Sequence, residues 1–162
     1  LPRPDFASAG PTIRKIWDSV APLPGGKALF SAIIGVVNPY TGSIGARFVE
    51  LRPGHAVCTL RQHRRIENHL DSVHAIALIN LAEVTSGLAL MCGLPPGLRG
   101  IPVHLDIDYH RKARGTITAE CRCDPPRTLE EQQAELTCHL RDSDGLQVAT
   151  AHARWRLRPA AA

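Results

Sequence analysis

The sequence predicts an α+β fold in which an antiparallel β-sheet wraps around one long central helix. Three observations support this fold class. Residues 68–92 are almost wholly apolar over the length of a long helix, and four later stretches alternate apolar and polar side chains with a period of two. Two short helical patterns precede the first strands. A helix that is apolar nearly all round must be enclosed, and strands with one apolar face can enclose it.

The chain is long enough for one domain. Its 162 residues suffice for a proper core, and no break in composition divides them. A hydrophobic content of 44% with 21% charged residues excludes a wholly disordered chain or a coiled coil. We therefore predict a helical N-terminal lead-in over residues 1–42, followed by the α+β domain over residues 43–158.

Composition also argues against several classes of partner. The formal net charge of +4 is spread along the chain and the aromatic content is only 4%, so we expect no nucleic-acid binding. The apolar run 28–37 is shorter than the roughly 20 residues that span a bilayer, so we expect a cytoplasmic protein without a membrane segment. The five cysteines form no CxxC pair, and we interpret them as reduced core residues that bind no metal.

The lead-in contains two predicted helices and a turn. Residues 11–20 repeat apolar side chains at the i, i+3, i+4, i+7 spacing of an amphipathic helix. The PLPGG sequence at 22–26 ends that helix, and a second short helix is predicted over 27–37. The Asn-Pro-Tyr-Thr-Gly sequence at 38–42 predicts a turn.

Strands are predicted on both sides of the long helix. From Ser43 the chain has strand character, and a Pro53-Gly54 turn joins two strands into a hairpin. After the long helix and a Pro-Pro-Gly break, alternation runs through 103–109. The same alternation recurs in three further segments, which we interpret as an antiparallel meander: 117–123, 134–140 and 149–157.

The long helix carries one carboxylate in apolar surroundings. Between Val73 and Cys92 the only formally charged residue is Glu83, which shares a polar stripe with Asn80 and Ser86. A carboxylate placed in this way tends toward a raised pKa and is a candidate general base. The pattern alone fits equally well with a polar seam that meets solvent or another subunit.

His74 stands at the start of the same helix. Free backbone N–H groups and the positive end of the helix dipole can polarise a carbonyl oxygen there, although such a histidine is often a plain polar end residue. Nine residues separate His74 from Glu83, which corresponds to about 180° of rotation and about 13.5 Å of rise. One helix therefore cannot bring both to one small reacting group. If both act, two copies of the chain must share each site, which predicts a homodimer or a tetramer.

These residues resemble those of the hotdog-fold thioesterases of the phenylacetate-pathway type. That family is marked by an Asn, a loop, a His-Gly-Gly that opens the central helix, and a carboxylate nine residues after the His. The corresponding residues here are Asn68, His74, Ala75 and Glu83. The resemblance spans residues 43–157.

Two further motifs resemble one bacterial subgroup, the domain of unknown function 4442. They are PYTGSIG at 39–45 and KARG at 112–115. That subgroup also carries an N-terminal lead-in. The resemblance thus implies a hotdog fold with a helical addition.

The resemblance implies a role for each residue in hydrolysing an acyl thioester such as acyl-CoA. Glu83 would act as general base or nucleophile, and the Ala75 backbone N–H would polarise the thioester carbonyl. Asn68 would orient the attacking water or the carboxylate, and His74 would order the loop and the carbonyl pocket. A thioester is already activated, so a positioned base and one oxyanion donor can suffice.

The substrate would contact residues outside this set. Its acyl group would enter an apolar channel beside the helix, and surface cations would meet the coenzyme A phosphates: Arg111, Lys112 and Arg114. The same basic turn fits an ordinary solvated loop. Asp71 stands where the family has a loop glycine, and we count it among the substrate contacts. No cofactor is implied beyond the coenzyme A of the substrate.

The sequence also departs from the family pattern. Ala75 and Ile76 replace the two helix-start glycines, and Pro102 stands where the family often has Ser or Thr. These departures motivate an alternative, a non-catalytic module that binds or senses acyl thioesters. A hotdog dehydratase or hydratase is a third hypothesis, which would need a His acid/base beside the substrate α-carbon.

Overall fold

The structure is a computed structural model that describes residues 10–160. Residues 1–9 of the predicted lead-in therefore lie outside the described residues. The helices are α1 (Gly10–Val20), α2 (Gly26–Val37), α3 (Pro39–Ile44), a short 3₁₀ helix (Arg64–Ile66) and α4 (Ala75–Met91). The strands are β1 (Arg47–Arg52), β2 (His55–Arg61), β3 (Leu98–Tyr109), β4 (Thr116–Arg122), β5 (Gln132–Arg141) and β6 (Gln147–Pro159).

The six strands form one antiparallel sheet in the order β1-β2-β4-β5-β6-β3. The predicted β1–β2 hairpin and the β4–β5–β6 meander are both present. The chain crosses from α4 to the far edge, where β3 pairs only with β6. The sheet thereby encloses α4 and ends in a free edge at β3.

Helix α4 lies against the concave face of this sheet and confirms the predicted central helix. Twelve of its 17 residues are buried. A Cβ added at Gly87 would stand 2.8 Å from two ring carbons of Trp155, so the helix backbone packs directly on that indole. The described helices include none long and apolar enough to span a membrane.

The lead-in helices share the core of the domain. Phe30 of α2 is fully buried and makes edge-to-face contacts with Trp17 of α1 and Phe48 of β1, at centroid distances of 4.9 and 5.4 Å. The Ser31 hydroxyl accepts the Phe48 N–H at 2.9 Å. Helices α1 and α2 thus pack into the same hydrophobic core as the sheet. Both lie close to the positions that the sequence predicts.

The predicted turn at 38–42 is wrong, because these residues begin α3. Asn38 caps the helix, with its Oδ1 accepting the Thr41 N–H at 3.5 Å, and Pro39 takes the first position, where no N–H is needed. Gly45 ends the helix at φ +73°. Residues that favour turns also cap helices, which explains the error.

Consequently the strand character expected from Ser43 begins only at Arg47. The boundary drawn between residues 42 and 43 falls inside α3.

Strand β3 keeps several large apolar side chains exposed. Ile101, Val103, Leu105 and Tyr109 are 49%, 46%, 37% and 47% exposed. The strand also bulges after Pro102, where its register against β6 shifts by one residue. An edge strand with free hydrogen-bonding groups and exposed apolar side chains is a surface suited to pairing.

Candidate active site

Glu83 lies on the middle of α4 and is largely buried. Desolvation raises the pKa of its carboxyl above the usual 4.5, and within residues 10–160 no charge or hydrogen bond offsets that cost. The neighbouring polar groups are otherwise engaged. Asn80 Oδ1 accepts the Thr41 hydroxyl at 3.0 Å, and the Ser86 hydroxyl donates to the Glu83 backbone oxygen at 3.1 Å. Of the polar stripe, the Glu83 carboxylate alone is left without a structural partner among the described residues.

Two cavities meet at Glu83. An open cleft of about 340 Å³ lies beside the edge strand and is lined by Thr41, Asn80, Pro102 and Leu105, among others. A smaller apolar pocket of about 120 Å³ lies between α4, the lead-in helices and β6. Both cavities are lined by Glu83 and Asn38. Glu83 therefore borders both an open cleft and an apolar recess.

The start of α4 presents one backbone donor. His74 caps the helix, and its Nδ1 accepts the Ile76 N–H at 3.1 Å. The Ala77 N–H donates to the His74 carbonyl at 2.9 Å. Within the described residues, the Ala75 N–H has no such partner, and the Tyr109 hydroxyl donates to the Ala75 carbonyl at 2.9 Å. The first turn thus keeps the Ala75 donor available for an oxygen of a ligand.

The loop before the helix is held in one conformation by the 113–115 turn. The Val73 N–H and the Ser72 hydroxyl both donate to the Ala113 carbonyl, at 2.8 and 2.9 Å. Asn68 Oδ1 accepts the Leu70 N–H at 2.9 Å, which orients its side chain. Asp71 has φ +51°, the left-handed backbone that glycine adopts most easily. Asp71 thus takes a backbone conformation that favours glycine at the position where the family pattern has one.

The predicted basic residues separate into two groups. Arg111 and Lys112 line a cleft of about 270 Å³ together with Asn68, Ala75 and Tyr109, among others. Arg114 instead donates to two loop carbonyls, from Nε to Asp71 at 3.0 Å and from Nη2 to Leu70 at 3.2 Å. Arg114 thus stabilises the loop through two hydrogen bonds. To contact a phosphate, as predicted, its guanidinium would have to give up these bonds. Asp71 lies at the surface beside it.

In one chain, Glu83 lines a different cleft from Asn68 and Ala75. No residue is shared between the cleft beside Glu83 and the cleft lined by Asn68 and Ala75. Both clefts border β3, one at Pro102 and Leu105 and the other at Tyr109. This arrangement is compatible with the separation along one helix that the sequence predicts.

The model of the family described as domain of unknown function 4442 (DUF4442) matches residues 26–157, which include α2 and almost the whole sheet. The chain belongs to this family. No curated protein matches it.

Solved structures similar to this DUF4442 chain have the same fold. The protein designated genomics APC5556 is 32% identical, with a TM-score of 0.80 over 92% of this chain and 99% of its own. A Pseudomonas aeruginosa protein of unknown function, described as a probable thioesterase, is 28% identical, with a TM-score of 0.70 over 85% of this chain and 97% of its own.

A Haemophilus influenzae thioesterase is 15% identical, with a TM-score of 0.65 over 74% of this chain and 82% of its own, and it shows the fold alone. Together these likenesses confirm the predicted hotdog fold and a place in the hotdog thioesterase-like superfamily.

Sequence reasoning did not select three residues that shape the DUF4442 site. Asn38 lines both cavities at Glu83, and Tyr109 covers the helix start. Gln62 joins the loop to the turn, because its Nε2 donates to Glu67 Oε1 at 3.0 Å and its Oε1 accepts the Gly115 N–H at 2.8 Å. Tyr109 ends an alternating strand next to the KARG motif, a signal that could have identified it. Asn38 and Gln62 carry no such signal.

The cysteines of the DUF4442 chain line neither cavity at Glu83. Four are buried, and Cys123 is half-buried. Burial raises the pKa of the Cys92 thiol to about 11, so it stays protonated at neutral pH. Within residues 10–160, no cluster of three or more His, Cys, Asp or Glu side chains could hold a metal ion.

Proposed function

We propose that this protein hydrolyses acyl thioesters, with acyl-CoA as the substrate class, at sites shared by two copies of the chain. The observation that carries this proposal is the Glu83 carboxylate, which is desolvated, lacks a partner among the described residues, and lies where an apolar pocket meets an open cleft. A buried carboxylate without compensation costs stability, so a function is expected to retain it. The thioesterase-like relatives support the reaction class.

Hydrolysis needs a base and an oxyanion donor. Glu83 takes a proton from water, and the resulting hydroxide attacks the thioester carbonyl carbon. The oxygen of the tetrahedral intermediate accepts the free Ala75 N–H at the positive end of α4. The C–S bond then breaks, and the proton on Glu83 passes to the leaving thiolate. The products are a carboxylic acid and coenzyme A, and Glu83 returns to its charged form.

In this proposal Glu83 and the Ala75 N–H of one site come from different chains. Pairing of two β3 edge strands would bring them together. Two-fold pairing of antiparallel β3 edges places the start of one strand beside the end of its partner. The Pro102 end, which borders the Glu83 cleft, then approaches the partner's Tyr109 end, which borders the helix start. The exposed apolar side chains of β3 would be covered by the same contact.

The experiment measures release of free thiol from a panel of acyl-CoAs. We expect wild-type protein to turn over at least one member, and Glu83→Gln to lower kcat/KM by about two to four orders of magnitude. Glu135→Gln is the matched control, because that carboxylate is exposed on β5 and lines neither cavity at Glu83. Unchanged turnover in Glu83→Gln would remove the carboxylate from the mechanism.

A second candidate is binding without turnover. The observation that favours it is the bond from the Ile76 N–H to His74 Nδ1. Of the Ala75 and Ile76 N–H groups, this bond leaves only the Ala75 N–H to stabilise an oxyanion. A tight acyl-CoA complex with no thiol release from any member of the panel would support this candidate.

A further inference from the structure

The apolar pocket at Glu83 extends under the lead-in. Its walls come from four elements and include Ile13 of α1, Ile34 and Val37 of α2, Gly87 of α4 and Trp155 of β6. The polar residues of its lining are Glu83 and Asn38, which also line the open cleft. A ligand that enters by the cleft therefore reaches this pocket past the carboxylate.

The chemistry of the walls identifies the part of the ligand that fits. Aliphatic and aromatic carbon with a carboxylate at the junction suits an alkyl group whose reacting carbonyl stays beside Glu83. An apolar cavity of about 150 Å³ holds the six carbons of benzene, so about 120 Å³ holds roughly four or five carbons. The pocket thus matches the alkyl end of a short acyl group.

Two of the walls are fixed by packing. Trp155 rests directly on the backbone of α4, since a Cβ at Gly87 would stand 2.8 Å from its ring carbons. Helix α2 is anchored by fully buried Phe30 and by the bond of 2.9 Å from the Phe48 N–H to the Ser31 hydroxyl. With both backbones held, the side chains that α2 directs into the pocket decide how long an alkyl group fits.

We infer that α2 limits the acyl chain length of the substrate, with Val37 and Ile34 as the specificity-determining residues. This inference rests on the proposed function and adds to it a substrate class, short-chain acyl thioesters of about four to six carbons. The lead-in is then part of the substrate site.

The test compares two adjacent valines of α2. Val37 lines the pocket, whereas Val36 is exposed and does not. We expect wild-type kcat/KM to fall steeply beyond hexanoyl-CoA. Val37→Ala should raise the ratio of kcat/KM for octanoyl-CoA over butanoyl-CoA about tenfold or more, because one methylene in an apolar pocket is worth at least that factor. Val36→Ala should leave the ratio within about twofold of wild type. Ile34→Ala should change it in the same direction as Val37→Ala.

Binding separates this inference from the proposed function. Glu83→Gln protein is titrated by calorimetry with non-hydrolysable S-alkyl thioethers of coenzyme A, from butyl to dodecyl, with and without Val37→Ala. If no acyl-CoA is hydrolysed but short thioethers bind best and Val37→Ala favours longer ones, the pocket is supported and hydrolysis fails. If hydrolysis proceeds but Val37→Ala and Val36→Ala share one chain-length profile, the inference is overturned and hydrolysis stands. Absence of both turnover and binding overturns both.

Discussion

Glu83 shows how one residue can conflict with the stability of its own helix. Its neighbours on the polar stripe bond to the protein, whereas the Glu83 carboxylate is desolvated and unpaired among residues 10–160. Burial disfavours the charged form and raises the pKa of the group. Ionising the Glu83 carboxyl therefore costs more free energy in the folded protein than in the unfolded chain, where water solvates the charge.

We predict that Glu83→Gln stabilises the protein in a pH-dependent way. Below the usual pKa of 4.5 the carboxyl is protonated in both states, so wild type and variant should unfold at similar temperatures. As pH rises from there through the raised folded pKa, wild type loses stability relative to the variant. By neutral pH the variant should unfold about 1–4 °C higher, as measured by thermal scans between pH 4 and pH 8. A variant less stable than wild type at pH 7 would contradict the desolvation of Glu83.

At the scale of elements, the loop over residues 67–73 and the start of α4 act as one unit with the 113–115 turn. Their contacts are mostly hydrogen bonds between segments far apart in sequence, such as those of Gln62 and Arg114. Backbone bonds from Val73 to Ala113 and from His74 to Ile66 complete the unit. The geometry of the free Ala75 donor therefore depends on residues that need not touch substrate.

We predict that Gln62→Ala loosens this unit. Loss of its bonds to Glu67 and Gly115 should lower the free energy of unfolding by about 1–2 kcal/mol. Amide hydrogen exchange in the loop should speed up more than in β4–β6, and thiol release should fall. Gln133→Ala is the control, because Gln133 is exposed on β5 and should change none of these. Equal exchange rates in the loop of both variants would contradict the role of Gln62.

At the scale of the whole molecule, one chain leaves two features incomplete. The edge of β3 keeps exposed apolar side chains, and Glu83 lies in a different cleft from Asn68 and Ala75. A two-fold pair through β3 would complete both at once, because the same contact that covers the edge brings the two clefts together. Assembly and activity should therefore be lost together.

We predict that Leu105→Lys produces a monomer. A lysine ammonium inside an apolar strand contact is costly to desolvate, so the charge should prevent the β3 contact. Sedimentation velocity at micromolar concentration should show a dimer or larger species for wild type and a monomer without thiol release for the variant. Leu146→Lys, in the exposed β5–β6 turn, should remain assembled and active. A wild-type monomer that hydrolyses acyl-CoA would rule out shared sites.

We also predict complementation between two inactive variants. Glu83→Gln and Asn68→Ala chains should each be nearly inactive alone, because every site then lacks one group. In an equal mixture, half of the dimers are mixed and one of their two sites is intact, so about a quarter of wild-type activity should return. Mixing must be carried out by unfolding and refolding together. Activity no higher than in the separate variants would mean that each site lies within one chain.

Periodicity and residue chemistry determined much of this protein in advance. An apolar stretch too long for a strand and alternating segments around it predicted the central helix and its sheet, and a single carboxylate in that helix identified Glu83. These are local signals, because the spacing along the chain sets which face a side chain occupies. The same locality explains the error at residues 38–42, where Asn, Pro and Gly serve a turn and a capped helix alike.

Only the tertiary structure decided which distant residues are in contact. Three features join residues that are distant in sequence. They are the position of β3 at the far edge of the sheet, the hydrogen bonds from Arg114 to Leu70 and Asp71, and the pocket that α2 and Glu83 line together. Such contacts arise from the packing of one core and leave no periodic trace along the chain. The sequence therefore singled out Glu83 as the candidate base, and the fold decided its surroundings.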